Sequence, residues 1–190
     1  MSEKMNVYTG VTIGPILDTM ALTSKPAGLW AASYLFSHIT CELLTELCKN
    51  GIPADAFVVP AFSWDGSKVV LEGNGTERIQ PEQTRSRGVG LFHDRVILKG
   101  KRLTEVQNAV DAVAGALAQK LNAKQPDAKQ PDWFRRYLRI YALAKEVPED
   151  KNPILVLGPL LDALELEPQY VPMGVDNDNP LLKSLLTSLL

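Results

Sequence analysis

Apolar residues along the chain follow two periods, one near two residues and one near 3.6, and the switches between them lay out the elements. Val7 to Ile13 mixes β-branched with small residues and ends at Gly14-Pro15, which predicts a strand and then a turn. Lys25-Pro26-Ala27-Gly28 opens or interrupts the helix that follows. Leu29, Ala32, Phe36, Ile39, Leu43 and Leu47 recur at helical spacing, one face of an amphipathic helix that Asn50-Gly51 stops. Ala56 to Phe62 is a short apolar run bounded by prolines, suited to a buried or edge strand. Ser63 to Ser67 reads as a turn, Lys68 to Leu71 as a short strand, and Glu72 to Arg87 as a polar surface loop. Gly88 to Leu98 returns to a strand pattern broken at His93-Asp94-Arg95. Thr104 and Gln107 form a capping box ahead of a second helix, whose buried face is Val106, Val110, Val113, Leu117 and Leu121.

Ala123 to Asp132 holds Ala-Lys-Gln-Pro-Asp twice over, too little for a solenoid and suited to a linker or exposed loop. In Phe134 to Ala144, Leu138, Ile140, Ala142 and Ala144 alternate with Tyr137, Arg139, Tyr141 and Leu143. That alternation favours a strand, although no residue in the window would break a short helix. Asn152-Pro153 has the form of a helix start, cap then first-turn proline, for a helix reaching about Leu164. Pro168, Pro172 and Gly174 follow, and Leu181 to Leu190 carries six leucines in ten residues. A helix so apolar is expected to pack on a partner or to belong to a longer protein. The order is βαββαβ with helical additions, the α+β arrangement called ferredoxin-like: an antiparallel sheet with two helices on one face. Residues 1–150 are expected to form that domain and 151–190 a helical extension.

With 190 residues the chain is long enough for a self-sufficient core. Its 20 basic and 22 acidic side chains leave a net charge of −2, which excludes coating nucleic acid or membrane by bulk charge. Cys41 and Cys48 lie two turns apart on one predicted helix, about 10 Å, too far for a disulfide. Reduced thiols, no secretory signal and no apolar run of membrane-spanning length predict a cytoplasmic protein without a membrane partner.

The usual one-segment chemistries are missing. His38 and His93 are the only histidines; a structural role mid-helix and a place in a turn are their plain readings. There is no HExxH, paired CxxC, Walker loop, GxGxxG or GxSxG. Asp176-Asn177-Asp178-Asn179 lacks the glycine and terminal glutamate of a calcium loop and reads as an Asx-rich turn. The net charge conceals a segregation. Arg78, Arg85, Arg87, Arg95, Lys99, Lys101 and Arg102 face only Glu82 and Asp94 between 78 and 102, whereas 146–178 is acidic. The basic stretch suits phosphate or RNA contact, with an ordinary solvated loop as the alternative.

Longer motifs go further. Ile13-Gly14-Pro15-Ile16-Leu17-Asp18, followed by Leu29-Trp30-Ala31-Ala32-Ser33-Tyr34-Leu35-Phe36-Ser37, resembles the start of the first palm domain in the large subunit of type III CRISPR effector complexes. Phe57-Val58-Val59-Pro60-Ala61 is similar to that family's second strand, and Gly88 to Val96 to a later one, with His93 where the family often has proline. Pro153 to Leu166, Tyr170 and Asn179-Pro180 also fit, so the resemblance runs in order through most of the chain.

The resemblance implies a palm of ferredoxin-like fold that packs on a second palm and holds ATP between them. The implied activity is synthesis of cyclic oligoadenylate or a related nucleotide messenger. Gly14, Pro15, Ile16, Leu17, Asp18 and Ser33 become candidate nucleotide-binding residues, and Arg85, Arg87 and Arg95 candidate phosphate or RNA contacts. Glycine in the turn would admit phosphate to the backbone, and amides at a helix start favour anions. Implied partners are the second palm, other effector subunits and, indirectly, crRNA and target RNA. The family's Mg²⁺ ligands lie in a Gly-Gly-Asp-Asp hairpin, a tetrapeptide this sequence does not contain. The expectation is therefore a chain inactive alone, either a fragment of a synthase or a split piece. The alternatives are a non-enzymatic palm-fold interaction module and a ferredoxin-like RNA-binding protein.

Overall fold

A computed structural model describes residues 4–72, 78–79, 92–124 and 137–166. β1 (Met5–Gly14) leads into a short α1 (Ile16–Ala21) and the long α2 (Pro26–Lys49). β2 (Phe57–Val59), β3 (Phe62–Trp64), β4 (Val69–Glu72) and β5 (Arg78–Ile79) follow, then β6 (Arg95–Lys99), α3 (Leu103–Lys124), β7 (Arg139–Pro148) and α4 (Pro153–Leu166).

The principal sheet has the order β2-β6-β1-β7, with every neighbouring pair antiparallel. β3, β4 and β5 make a second, three-stranded sheet between β2 and β6 in sequence. Alternation along β1 sends Val11 and Ile13 to one face, where they join Val96 and Leu98 of β6 and the apolar stripes of α2 and α3. Phe36, Leu35, Ile39, Leu43, Leu44 and Leu47 of α2 are all but inaccessible to solvent. At about 1.5–3 kcal/mol for each fully buried large side chain, this face carries most of the stabilisation.

The opposite face is covered by α4. Ile97 and Val147 pack there with Leu157, and Tyr8 and Leu143 flank them. The helix approaches so closely that a β-carbon on Gly10 would lie 2.8 Å from Leu157 Cδ2. The segment expected as an appended helix is thus the second layer over this sheet. Asn152 does cap it: its side-chain oxygen accepts the Ile154 N–H at 2.9 Å.

Several local expectations shift. α2 starts at Pro26, whose fixed φ suits a first helical position, and Leu29 in its first turn is exposed rather than buried. Ala56 to Phe62 is not one strand: a cis Val59–Pro60 bond separates β2 from β3, and the two join different sheets. Trp64 closes β3 instead of entering the turn, where the Asp65 carboxylate accepts the N–H groups of Ser67 and Lys68. Arg78 and Ile79 pair with β4 inside the expected loop. α3 begins at Leu103, which puts Thr104 in its first turn rather than at the cap; Glu105 there accepts a hydrogen bond from Arg102. The Ala-Lys-Gln-Pro-Asp repeat beyond Lys124 and the leucine-rich 181–190 lie outside the described residues. Among the described residues, no helix is long and apolar enough to cross a membrane.

Candidate functional site

At the end of β1 the chain turns through a cis Gly14–Pro15 bond into α1. Thr19, fully buried in that helix, donates to the Pro15 carbonyl at 2.5 Å and shares a 2.5 Å hydrogen bond with the Tyr137 hydroxyl. Burial raises the Tyr137 pKa, keeping the phenol neutral in this bond. The turn is thereby tied to the approach to β7. A cavity of about 420 Å³ opens beside it. Gly14, Pro15, Ile16, Leu17 and Asp18 form one wall, Arg139 and Tyr141 of β7 a second, and Glu165 and Leu166 of α4 a third, with Asp94 at the margin. β-sheet register explains the grouping, because Gly14 pairs with Arg139 and Thr12 with both Tyr141 and Arg95.

Two sets of ionic contacts hold the walls. Arg139 Nη1 lies 3.2 Å from Asp18 Oδ2, joining β7 to α1. Arg95 Nη2 reaches Asp162 Oδ1 at 2.5 Å and Glu165 Oε1 at 3.2 Å, joining β6 to α4. Thr12 donates its hydroxyl to the same Glu165 oxygen. Partial burial works against the Arg95 charge, but the Asp162 hydrogen bond and the neighbouring carboxylates outweigh it and raise its pKa. The cavity wall therefore carries Asp18, Asp94 and Glu165 against Arg139, with apolar surface from Ile13, Pro15, Ile16, Leu17 and Leu166.

Five of the residues singled out from the sequence, Gly14 to Asp18, are brought together here. Ser33 is exposed on α2 and is not part of the cavity wall. Arg95 stands beside the cavity with its guanidinium engaged by α4. Arg85 and Arg87 lie outside the described residues. α1 has only six residues, too short to add a substantial helix dipole to the turn. Arg139, Tyr141 and Glu165 were not singled out as site residues. Alternation along 137–144 marks Arg139 and Tyr141 as sharing a face, but pairing with β1 is what brings that face here. No group of three or more His, Cys, Asp or Glu among the described residues could hold a metal ion.

His38 lies on α2, away from this wall. It stacks on Tyr34, with centroids 6.5 Å apart, and its pKa is lowered, first by burial and then by Lys120, against the opposing field of Glu42. Cys41 and Cys48 form no disulfide with each other, as their spacing requires.

Comparison with curated proteins found no match. Residues 8–125, more than half of the chain, match the family described as CRISPR-associated protein Cmr2, N-terminal. That span runs from within β1 to the end of α3, including the Gly14–Asp18 turn, while the β7 and α4 walls fall beyond it. The chain belongs to this family, the N-terminal region of the large subunit of type III CRISPR effector complexes.

Proposed function

We propose that this region is a ferredoxin-like palm that contributes one nucleotide-binding wall to a messenger-synthesising site, with ATP as the substrate. The β7-β1-β6-β2 order with βαββαβ connections supports the palm reading. The observation that carries the binding role is the cavity at the β1–α1 turn, where five resemblance-derived residues converge. A volume of about 420 Å³ suits a nucleoside-sized ligand.

Charge decides which end of the nucleotide enters. Asp18, Asp94, Glu165 and the adjoining Asp162 outnumber Arg139 and Arg95, and both arginines are already engaged by carboxylates, so the cavity would repel a bare triphosphate. The same carboxylates accept hydrogen bonds from a base amino group or ribose hydroxyls, and the apolar walls and Tyr141 accommodate a flat ring. The base and ribose therefore occupy the cavity, and the phosphates point toward the second palm. Mg²⁺, when bound, would stabilise charge on the reacting phosphates. The family's Gly-Gly-Asp-Asp hairpin does not occur in this sequence, so in this reading the chain binds and orients nucleotide while the second palm supplies the ligands of that ion.

Calorimetric titration of the chain with ATP and with adenosine tests the reading. Adenosine is expected to keep most of the ATP affinity. Gly14→Val is expected to weaken both at least about tenfold. A β-carbon at Gly14 meets only ordinary contacts, the nearest being the Arg139 carbonyl oxygen at 3.7 Å. Binding that needs the triphosphate but no particular base, or that ignores Gly14→Val, would contradict it.

A further inference from the structure

Glu165 lines the cavity, and the sheet holds its carboxylate from beneath. The Thr12 hydroxyl donates to Oε1, and Arg95 Nη2 reaches the same oxygen at 3.2 Å. Arg95 is itself fixed by Asp162 at 2.5 Å. Thr12 is fully buried, so its hydroxyl cannot turn away to water. Among the described residues no donor reaches Oε2. One carboxylate oxygen is thus saturated, with both lone pairs in use, and the other is the acceptor that Glu165 offers the cavity.

Register supplies the neighbour. Thr12 stands opposite Arg95 on one side and Tyr141 on the other, which makes the three one row across the face that α4 covers. Side chains directly opposite in such a row have β-carbons about 4.5–5.5 Å apart. A flat ring lying on Tyr141 therefore meets Oε2 with its edge. We infer that Glu165 is a specificity-determining residue of this cavity, reading a single exocyclic amino group of a purine, with Thr12 and Arg95 as its positioning residues. This role rests on the cavity taking a nucleoside, as proposed above, and adds what selects the base.

Counting donors decides between purines. Adenine presents one amino group beside an acceptor nitrogen, and one open oxygen satisfies it. Guanine presents N1–H and the 2-amino group side by side, a pair suited to both oxygens of an unengaged carboxylate. Here its second donor would face the saturated Oε1 and be left unpaired, at the full cost of its desolvation. Releasing Oε1 should therefore admit guanine. Replacing the open oxygen by an N–H group should turn the preference around. In Glu165→Gln the amide oxygen takes the place of Oε1, because Thr12 and Arg95 both donate, and the amide NH₂ is left facing the ligand. That group suits a 6-oxo purine and opposes a 6-amino one.

Calorimetric titration of the full chain with adenosine, inosine, guanosine and purine riboside, which lacks the 6-amino group, tests this role. Adenosine is expected to bind at least about tenfold more tightly than purine riboside or guanosine, the worth of one hydrogen bond to a charged acceptor. Glu165→Gln is expected to bind inosine more tightly than adenosine. Thr12→Val keeps the shape and loses the donor, and should narrow the preference for adenosine over guanosine at least about threefold; Thr12→Ser should restore it. A merely structural tie between α4 and the sheet would lower all affinities together and leave these ratios unchanged. Because Glu165→Gln could loosen α4, adenosine against purine riboside on the unaltered chain provides the independent measure. Equal affinity for those two, or ratios that the variants do not move, would overturn the role of Glu165 while the nucleoside site stands. No binding of any nucleoside would overturn both.

Discussion

Gly10→Ala probes whether α4 packs on the sheet that carries the cavity at the β1–α1 turn. The added β-carbon would sit 2.8 Å from Leu157 Cδ2 and 3.3 Å from both Leu161 methyls. Carbon–carbon contacts are comfortable at about 3.5–4.0 Å, so one partner must move by at least about 0.7 Å. Leu157 and Leu161 are both fully buried and cannot swing into solvent. Overpacking of this kind costs about 1–3 kcal/mol, offset by roughly 0.5–1 kcal/mol because alanine loses less backbone entropy than glycine. The net loss, up to about 2.5 kcal/mol, lowers the melting temperature by up to about 10 °C for a chain of this size. Circular dichroism melts would read it. A double-mutant cycle sharpens the result. In a Leu157→Ala background, itself about 2–5 kcal/mol less stable, the extra methyl fills space, so the two changes couple by at least about 1 kcal/mol. Gly10→Ala raising the melting temperature equally in both backgrounds would refute the packing of α4 on β1.

Arg95→Gln should lower stability by about 0.5–1 kcal/mol, because it unties Asp162 and Glu165 from β6 while leaving a part-exposed site; an unshifted urea midpoint would show that the contacts add nothing. Burial pushes the Cys48 thiol up to about 11, so titration with a thiol-specific chromophore at pH 8 should find Cys41, half-exposed, reacting well ahead of it. Equal rates would contradict the packing of α2. The Asp65 carboxyl is held below its ordinary value by hydrogen bonds from the Lys68 and Ser67 backbone and then from the Ser67 hydroxyl. Its contribution is therefore fully present above the unfolded-state pKa and is lost as pH falls through the folded value. Asp65→Asn should flatten the decline in melting temperature between about pH 5 and pH 3, and an unchanged slope would argue against the turn.

What could be read along the chain was whatever depends on neighbours in sequence. The α2 stripe from Ala32 to Leu47, the β1 alternation and the Asn152-Pro153 start are short-range signals, and the structure bears them out. The end of that strand at Gly14-Pro15 is another such short-range signal. Pairings across long separations were not legible. Nothing near Arg139 states that it will lie opposite Gly14, or that Glu165 will reach Thr12 and Arg95. α4 illustrates the difficulty: its apolar residues permit a helix anywhere, and its place is fixed by the close approach to Gly10 and by the Arg95 and Thr12 contacts to its acidic residues. The division of Ala56 to Phe62 was hidden for another reason, since an apolar run looks the same whether it serves one sheet or two.

Photolabelling with 8-azidoadenosine triphosphate, followed by peptide mapping, tests the proposed nucleotide role most directly. Label on peptides containing Gly14–Asp18 or Tyr141, protected by excess ATP, is the expected result. Label confined to other peptides, or label that ATP does not displace, would contradict the placement of the nucleotide at the β1–α1 turn.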